Sequence, residues 1–130
     1  MTCEYVVERA AAALPSNAYQ TLFQVSGGRV VVTAVFGELT DGVTGAASAQ
    51  FDASGVSLGN NVPFGGAAAG NLFGGSAVGL AASIDVAIGS RVVQDGKVIR
   101  VHVDAAISTG EARYTLVYRP LDPGAKVEAV

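Results

Sequence analysis

Residues 21–36 read TLFQVSGGRVVVTAVF, two β-rich runs on either side of Gly27-Gly28. A glycine pair accepts the positive φ angles of a tight hairpin turn, so the stretch predicts an antiparallel hairpin closed at those two residues. That register sets Val25 opposite Val30, Phe23 opposite Val32 and Thr21 opposite Ala34. Cross-strand partners share a face, which gathers Phe23, Val25, Val30, Val32, Ala34 and Phe36 on one buried side. The other side, with Leu22, Gln24, Ser26, Arg29, Val31, Thr33 and Val35, is mixed.

Working outward, Asp95-Gly96 carries the second strong turn signal, between Ser90–Gln94 and Lys97–Ala105. A two-residue register there pairs Val92 with Ile99 and places Arg91 against Arg100. That like-charge contact asks for a carboxylate such as Asp85 or Asp104, or for a loop one residue longer. Along the second run Ile99, Val101, Val103 and Ala105 face inward, and Arg100, His102 and Asp104 outward. Ile84, Val86 and Ile88 alternate in the same way. After a turn at Ser108-Thr109-Gly110, Ala112–Arg119 reads as a strand with Tyr114, Leu116 and Tyr118 on one face. Pro120 ends it, since proline cannot donate to a ladder. Residues 37–42 read as a loop or strand switch, Val43–Phe51 as a further strand, and Asp52-Ala53-Ser54-Gly55 as a turn.

The expected fold is therefore all-β: a single-domain antiparallel β-sandwich or barrel-like body over residues 19–122. An arm, 1–18, precedes it and a tail, 123–130, follows; both are expected to be flexible. In the arm, Ala10–Ala13 favour a short helix over Glu4–Leu14, whereas Tyr5, Val6 and Val7 favour an extended start. Residues 56–83 form a long Gly/Ala-rich loop insertion without charge until Asp85, and a turn of helix is predicted around 67–73. The Gly66-xxx-Gly70-xxx-Gly74 spacing suits close helix approach, but large aliphatics are too few for a membrane span. No Lys-Ser/Thr pair follows the glycines, as a phosphate loop requires. An uncharged loop carrying Phe64, Leu72 and Phe73 suits a contact surface, as do Tyr5 and Val6 on the arm.

The chain has 130 residues, a net charge of -3 and only 15% charged residues, against about 25% in an average soluble domain. With no basic stripe to neutralise phosphates, nucleic acid is not an expected partner. A mean hydropathy of +0.43 with so few charges argues that neighbours cover part of the surface. Cys3 stands alone, so no disulfide forms within the chain. The opening MTCEYVVER lacks the basic and apolar regions of a secretory signal, and synthesis in the cytoplasm is expected. His102, beside Arg100 and Asp104, has the neighbours of a general base but no nucleophile motif to serve. One His and one Cys far apart give no zinc spacing, and the acids are too scattered for calcium. No catalytic residue, metal or cofactor is expected.

Two segments, LFQVSGGRVVVTAVFGELTD (22–41) and AAISTGEARYTLVYRPLDPGAKV (105–127), resemble small β-rich virion structural proteins of tailed bacteriophages. The shared pattern runs L-F-x-V-x-G-G, then V-T-A-x-x-G-E-x-T, then S-T-G and Y-x-L-x-Y-x-P-L-x-x-G-A. The resemblance covers about a third of the chain and does not extend to the Gly/Ala-rich middle. It implies a particle component, a capsid decoration, or cement, subunit. Joined to the sparse surface charge, this leads to the expectation of a homo-oligomer, a trimer, on the major capsid protein at the outer face of the virion. The alternatives are a tail, tail-tube or head-fibre component, and a carbohydrate- or host-surface-binding β-sandwich. No membrane partner is expected.

Overall fold

The strands joined by Gly27-Gly28 do not pair with each other. In the computed structural model, which describes residues 4–74, 77–80 and 87–130, the chain builds two antiparallel sheets packed face to face. The first contains β1 (Tyr5–Ala13), β3 (Val30–Thr44), β7 (Asn71–Gly74), β8 (Ala77–Leu80), β9 (Ala87–Val93) and β11 (Thr109–Pro120). The second contains β2 (Ala18–Ser26), β4 (Ser48–Ala53), β5 (Val56–Ser57), β6 (Val62–Pro63), β10 (Val98–Val103) and β12 (Lys126–Ala129). The first runs β1-β11-β3, with β9 beside one half of β3 and β7-β8 beside the other. The second runs β12-β2-β10-β4-β5, with β6 also on β4.

Among the described residues seven connections, 14–17, 27–29, 45–47, 64–70, 94–97, 104–108 and 121–125, carry the chain from one sheet to the other. This wiring, with β1-β11-β3-β9 facing β2-β10-β4-β5, is that of a jelly roll; β12 extends the second sheet. It is an open sandwich, not a closed barrel. The expected hairpins at Gly27-Gly28 and Asp95-Gly96 are therefore crossings between sheets. Sheets stack about 10 Å apart, a gap that three extended residues span. Gly27 has a φ of 77° and a Cβ there would lie 2.6 Å from the Gly124 carbonyl oxygen, so the turn still requires its glycine. A true two-residue hairpin occurs at Ser54-Gly55, both at positive φ, where Ala53 pairs with Val56.

The expected inward set largely holds, because residues that face each other across the core satisfy the same pattern as residues paired in one sheet. Phe23, Val25, Val30 and Val32 are fully buried. Bulges alter the rest. Thr33 is an extra residue between the pairs Val32–Tyr118 and Ala34–Val117, so burial shifts to Val35, Gly37 and Leu39. Ala34 and Phe36, expected inside, turn outward. Leu22 is likewise extra between Phe23–Ile99 and Thr21–Arg100, and both Leu22 and Phe23 are buried. Ile99, Val101 and Val103 face inward as expected, and so do Tyr114, Leu116 and Tyr118.

The arm is strand, not helix: β1 pairs along β11 from Tyr5–Tyr118 to Ala13–Glu111, so unmet backbone groups outweigh the alanine propensity. The tail is also strand, β12 on β2. Residues 37–42 belong to the interior of β3, and Val43–Phe51 is split by a turn at 45–47. Thr109-Gly110 opens β11 rather than preceding it. The middle holds short strands, and the helical turn around 67–73 is absent. Residues 84–86 of the predicted Ile84–Ile88 strand lie outside the described residues. Arg91 does not oppose Arg100: it registers with Val32 in the first sheet, while Arg100 registers with Asp52 in the second.

Candidate interaction surfaces

Of the five expected contact residues, the structure removes two. Phe64 and Phe73 are buried, in a cluster where Phe73 lies 5.1 Å from Phe64, 5.8 Å from Phe51 and 6.1 Å from Tyr114 between ring centroids. Gly37 makes room for this cluster, since a Cβ there would sit 2.6 Å from Phe73 Cε1. An uncharged glycine-rich stretch reads as contact surface, yet its aromatics fill the bottom of the sandwich. Tyr5 stacks on Tyr118 at 5.6 Å while remaining half exposed, so the arm packs on its own sheet. Val6 points to solvent at 64% exposure, and Leu72 is half-buried.

Val6 belongs to a larger feature that the linear sequence does not display. Because Tyr118, Leu116 and Tyr114 point inward, Arg119, Val117, Thr115 and Arg113 form the outer face of β11. The register sets Val117 beside Val6 on β1 and Ala34 on β3. One row along, Val31 lies beside Val92; one row the other way stands Phe36, and then Leu72 beside Glu38. The outer face of the first sheet thus carries an aliphatic and aromatic stripe across β1, β11 and β3 and onto β9 and β7, which flank different halves of β3. Glu8, Arg119 and the ion pair Arg113–Glu38 border it. The bulge at Thr33 is what turns Ala34 and Phe36 onto this face.

The outer face of the second sheet has the opposite character. Arg100 donates from Nε and Nη2 to both carboxylate oxygens of Asp52, each at 2.8 Å, and its guanidinium lies 4.0 Å from the centroid of the Tyr19 ring. Tyr19 also stacks on His102 at 4.2 Å. Gln24, Thr21 and Gln50 continue this polar face, and Lys126 pairs with Glu128 at its edge. The Asp52 hydrogen bonds are the first cause that raises the Arg100 pKa further. His102 is therefore one rung of a cross-strand ladder, and no Ser or Cys hydrogen-bonds to it among the described residues. Asp104 accepts from the Ser48 backbone N–H at 2.7 Å, which holds its carboxyl below the usual range, and from Asn61 at 3.4 Å.

Among the described residues no three His, Cys, Asp or Glu side chains gather to hold a metal, and no helix is long and apolar enough to cross a membrane. What the geometry defines is a jelly roll with one apolar and one polar outer face. No known family model matches the chain, and no curated protein matches it in sequence.

Proposed function

We propose that this chain is a non-enzymatic structural subunit of a bacteriophage virion, a capsid decoration protein that docks on the outer face of the head shell as a homo-oligomer. The observation that carries the reading is the contrast between its two outer faces: an apolar stripe from Val6 to Phe36 on one, a hydrated ladder around Arg100 on the other. A freely tumbling subunit has no use for that contrast, whereas a subunit lying on a surface does. Jelly rolls occur in viral capsid domains and also in lectins, so the fold alone does not choose between them. The stripe favours a protein surface over a saccharide.

Magnitude explains why a lattice is the fitting partner. Four strands about 4.8 Å apart and three rows about 6.6 Å apart give a footprint of roughly 400 Å². A standard interface buries about 800 Å² per partner, so one such contact holds weakly. Oligomers that engage several equivalent shell sites at once convert weak contacts into firm attachment.

The test is co-sedimentation with purified undecorated heads. Wild-type protein is expected to pellet with them and to raise their resistance to heat. Val6→Asp and Val117→Asp are expected to abolish pelleting while the urea midpoint of the free protein stays within about 1 kcal/mol of wild type. Wild-type protein that stays in the supernatant, with head stability unchanged, overturns the proposal.

A further inference from the structure

The two ends of the sandwich differ as sharply as its two faces. At the end where β9 hands over to β10, a groove of about 320 Å³ opens between the sheets. Its walls include Val56, Leu58, Val92 and Val93, and its charged lining residues are Arg91 and Lys97, with no carboxylate among them. Val56 and Val92 are 66% and 56% exposed. Neither Arg91 nor Lys97 forms an ion pair among the described residues. Arg29, Arg119 and Lys126 stand at the same end. Of the acids there, Asp122 is taken by Arg29 and Glu128 by Lys126, and Glu4 and Asp95 form no ion pair among the described residues.

At the other end the sign reverses. Asp41 and Glu111 are directly opposed across β3 and β11, a like-charge pairing that destabilises a sheet unless something neutralises it. Thr40 donates to Glu111 at 2.8 Å, but among the described residues no cation pairs with either carboxylate. Asp104 adds a third acid on the 104–108 connection. The connections at this end, 14–17, 45–47, 64–70 and 104–108, contain no Lys or Arg. Asp41 lies eleven residues along β3 from Val30, about 36 Å at strand rise, so the ends are too far apart to screen each other within one molecule.

We infer that the groove beside Arg91 and Lys97 receives the acidic end, around Asp41 and Glu111, of a second copy of this chain. The contact is head-to-tail, so it propagates into rings or stacks instead of closing as a two-fold dimer. It meets the shell-docking stripe at Val92 alone, which ends the stripe and lines the groove; Arg91, Lys97, Asp41 and Glu111 all lie outside the stripe. The groove supplies apolar walls and two cations; the incoming end supplies carboxylates already held together at a cost. Charge placement of this kind steers encounter and orientation more than it adds affinity, so the association is weak and sensitive to salt.

Sedimentation velocity of the whole chain tests this. Wild-type protein is expected to self-associate at millimolar concentration in about 20 mM salt and to dissociate in about 0.5 M, as the screening length falls from roughly 20 Å to 4 Å. Arg91→Glu/Lys97→Glu makes both ends acidic, and Asp41→Lys/Glu111→Lys makes both ends basic. Each variant alone is expected to associate at least tenfold more weakly. An equimolar mixture is expected to form 1:1 complexes, because each variant retains the end the other needs. Urea midpoints equal to wild type establish that both variants are folded. The inference is overturned if wild type stays monomeric in low salt, if either variant associates as wild type does, or if the mixture stays monomeric. None of these outcomes bears on pelleting with heads, which reads the shell contact alone.

Discussion

Replacing Phe73 with alanine separates a core residue from a contact residue, the two roles its sequence context allows. Phe73 is fully buried among Phe51, Phe64 and Tyr114. Truncating a buried Phe costs about 3–5 kcal/mol, through lost transfer energy and the cavity left behind. The upper part of that range is expected here, because Gly37 lies against the ring and has no side chain to lean into the space. A domain of this size is stable by about 5–15 kcal/mol, so the variant should fold but melt roughly 10–20 °C lower. The assay is urea unfolding with the m-value held in common, backed by calorimetry. A second arm uses the same contact: Gly37→Ala alone should cost about 1–3 kcal/mol by overpacking against Phe73. In the Phe73→Ala background it should cost at least 1 kcal/mol less, since the ring it meets is gone. A Phe73→Ala protein with an unchanged midpoint and lost self-association would refute the reasoning and restore Phe73 to the surface.

Three further outcomes follow from other parts of the structure. Arg100→Met leaves the Asp52 carboxylate without its two-point partner and should lower unfolding stability by about 1.5–3 kcal/mol; Arg100→Met/Asp52→Asn should recover part of the loss. The Asp122 carboxyl is held well below the usual range, first by the Arg29 side-chain hydrogen bonds and then by the Arg29 backbone N–H. A carboxylate with a depressed folded value adds stability above its unfolded value near 4, and that stability is lost as pH falls towards the folded value. The wild-type urea midpoint should therefore drop more steeply below about pH 4 than that of Asp122→Asn. Tyr114 buries a hydroxyl that finds no hydrogen-bond partner among the described residues, and burial pushes its pKa up. Tyr114→Phe should thus be neutral or stabilising by up to about 1 kcal/mol in thermal unfolding; a loss larger than that shows a partner for the hydroxyl.

The sequence was legible where period-two alternation meets a buried face. Ile99-Val101-Val103 and Tyr114-Leu116-Tyr118 needed no other information. Pairing was not legible, because alternation tells which side chains are inward and not which strand lies beside which. Val25 and Val30 are buried whether their strands neighbour each other in one sheet or face each other from two. Gly27-Gly28 permits either, since positive φ turns the chain in both cases. Bulges were equally hidden. Nothing in Val30–Phe36 announces that Thr33 is an extra residue, and the switch of Val35 for Ala34 depends on the register set by β11.

The candidate surfaces follow from that last point. A contact surface sought as a contiguous run leads to residues 64–73, whose aromatics are drawn inward by the core they complete. The apolar stripe instead takes single residues from β1, β11, β3 and β9, spread from Val6 to Val117. Each alone is an ordinary exposed aliphatic of the kind every soluble protein carries. They become a surface only when sheet order is known, and two of its members, Ala34 and Phe36, face outward because one bulge reverses the parity of β3. The low charge content led to the expectation that some part of the exterior is covered. Under the docking proposal sheet order names the stripe as that part: the polar ladder around Arg100 uses its charges on the other face, so covering the stripe leaves the ionic side in water.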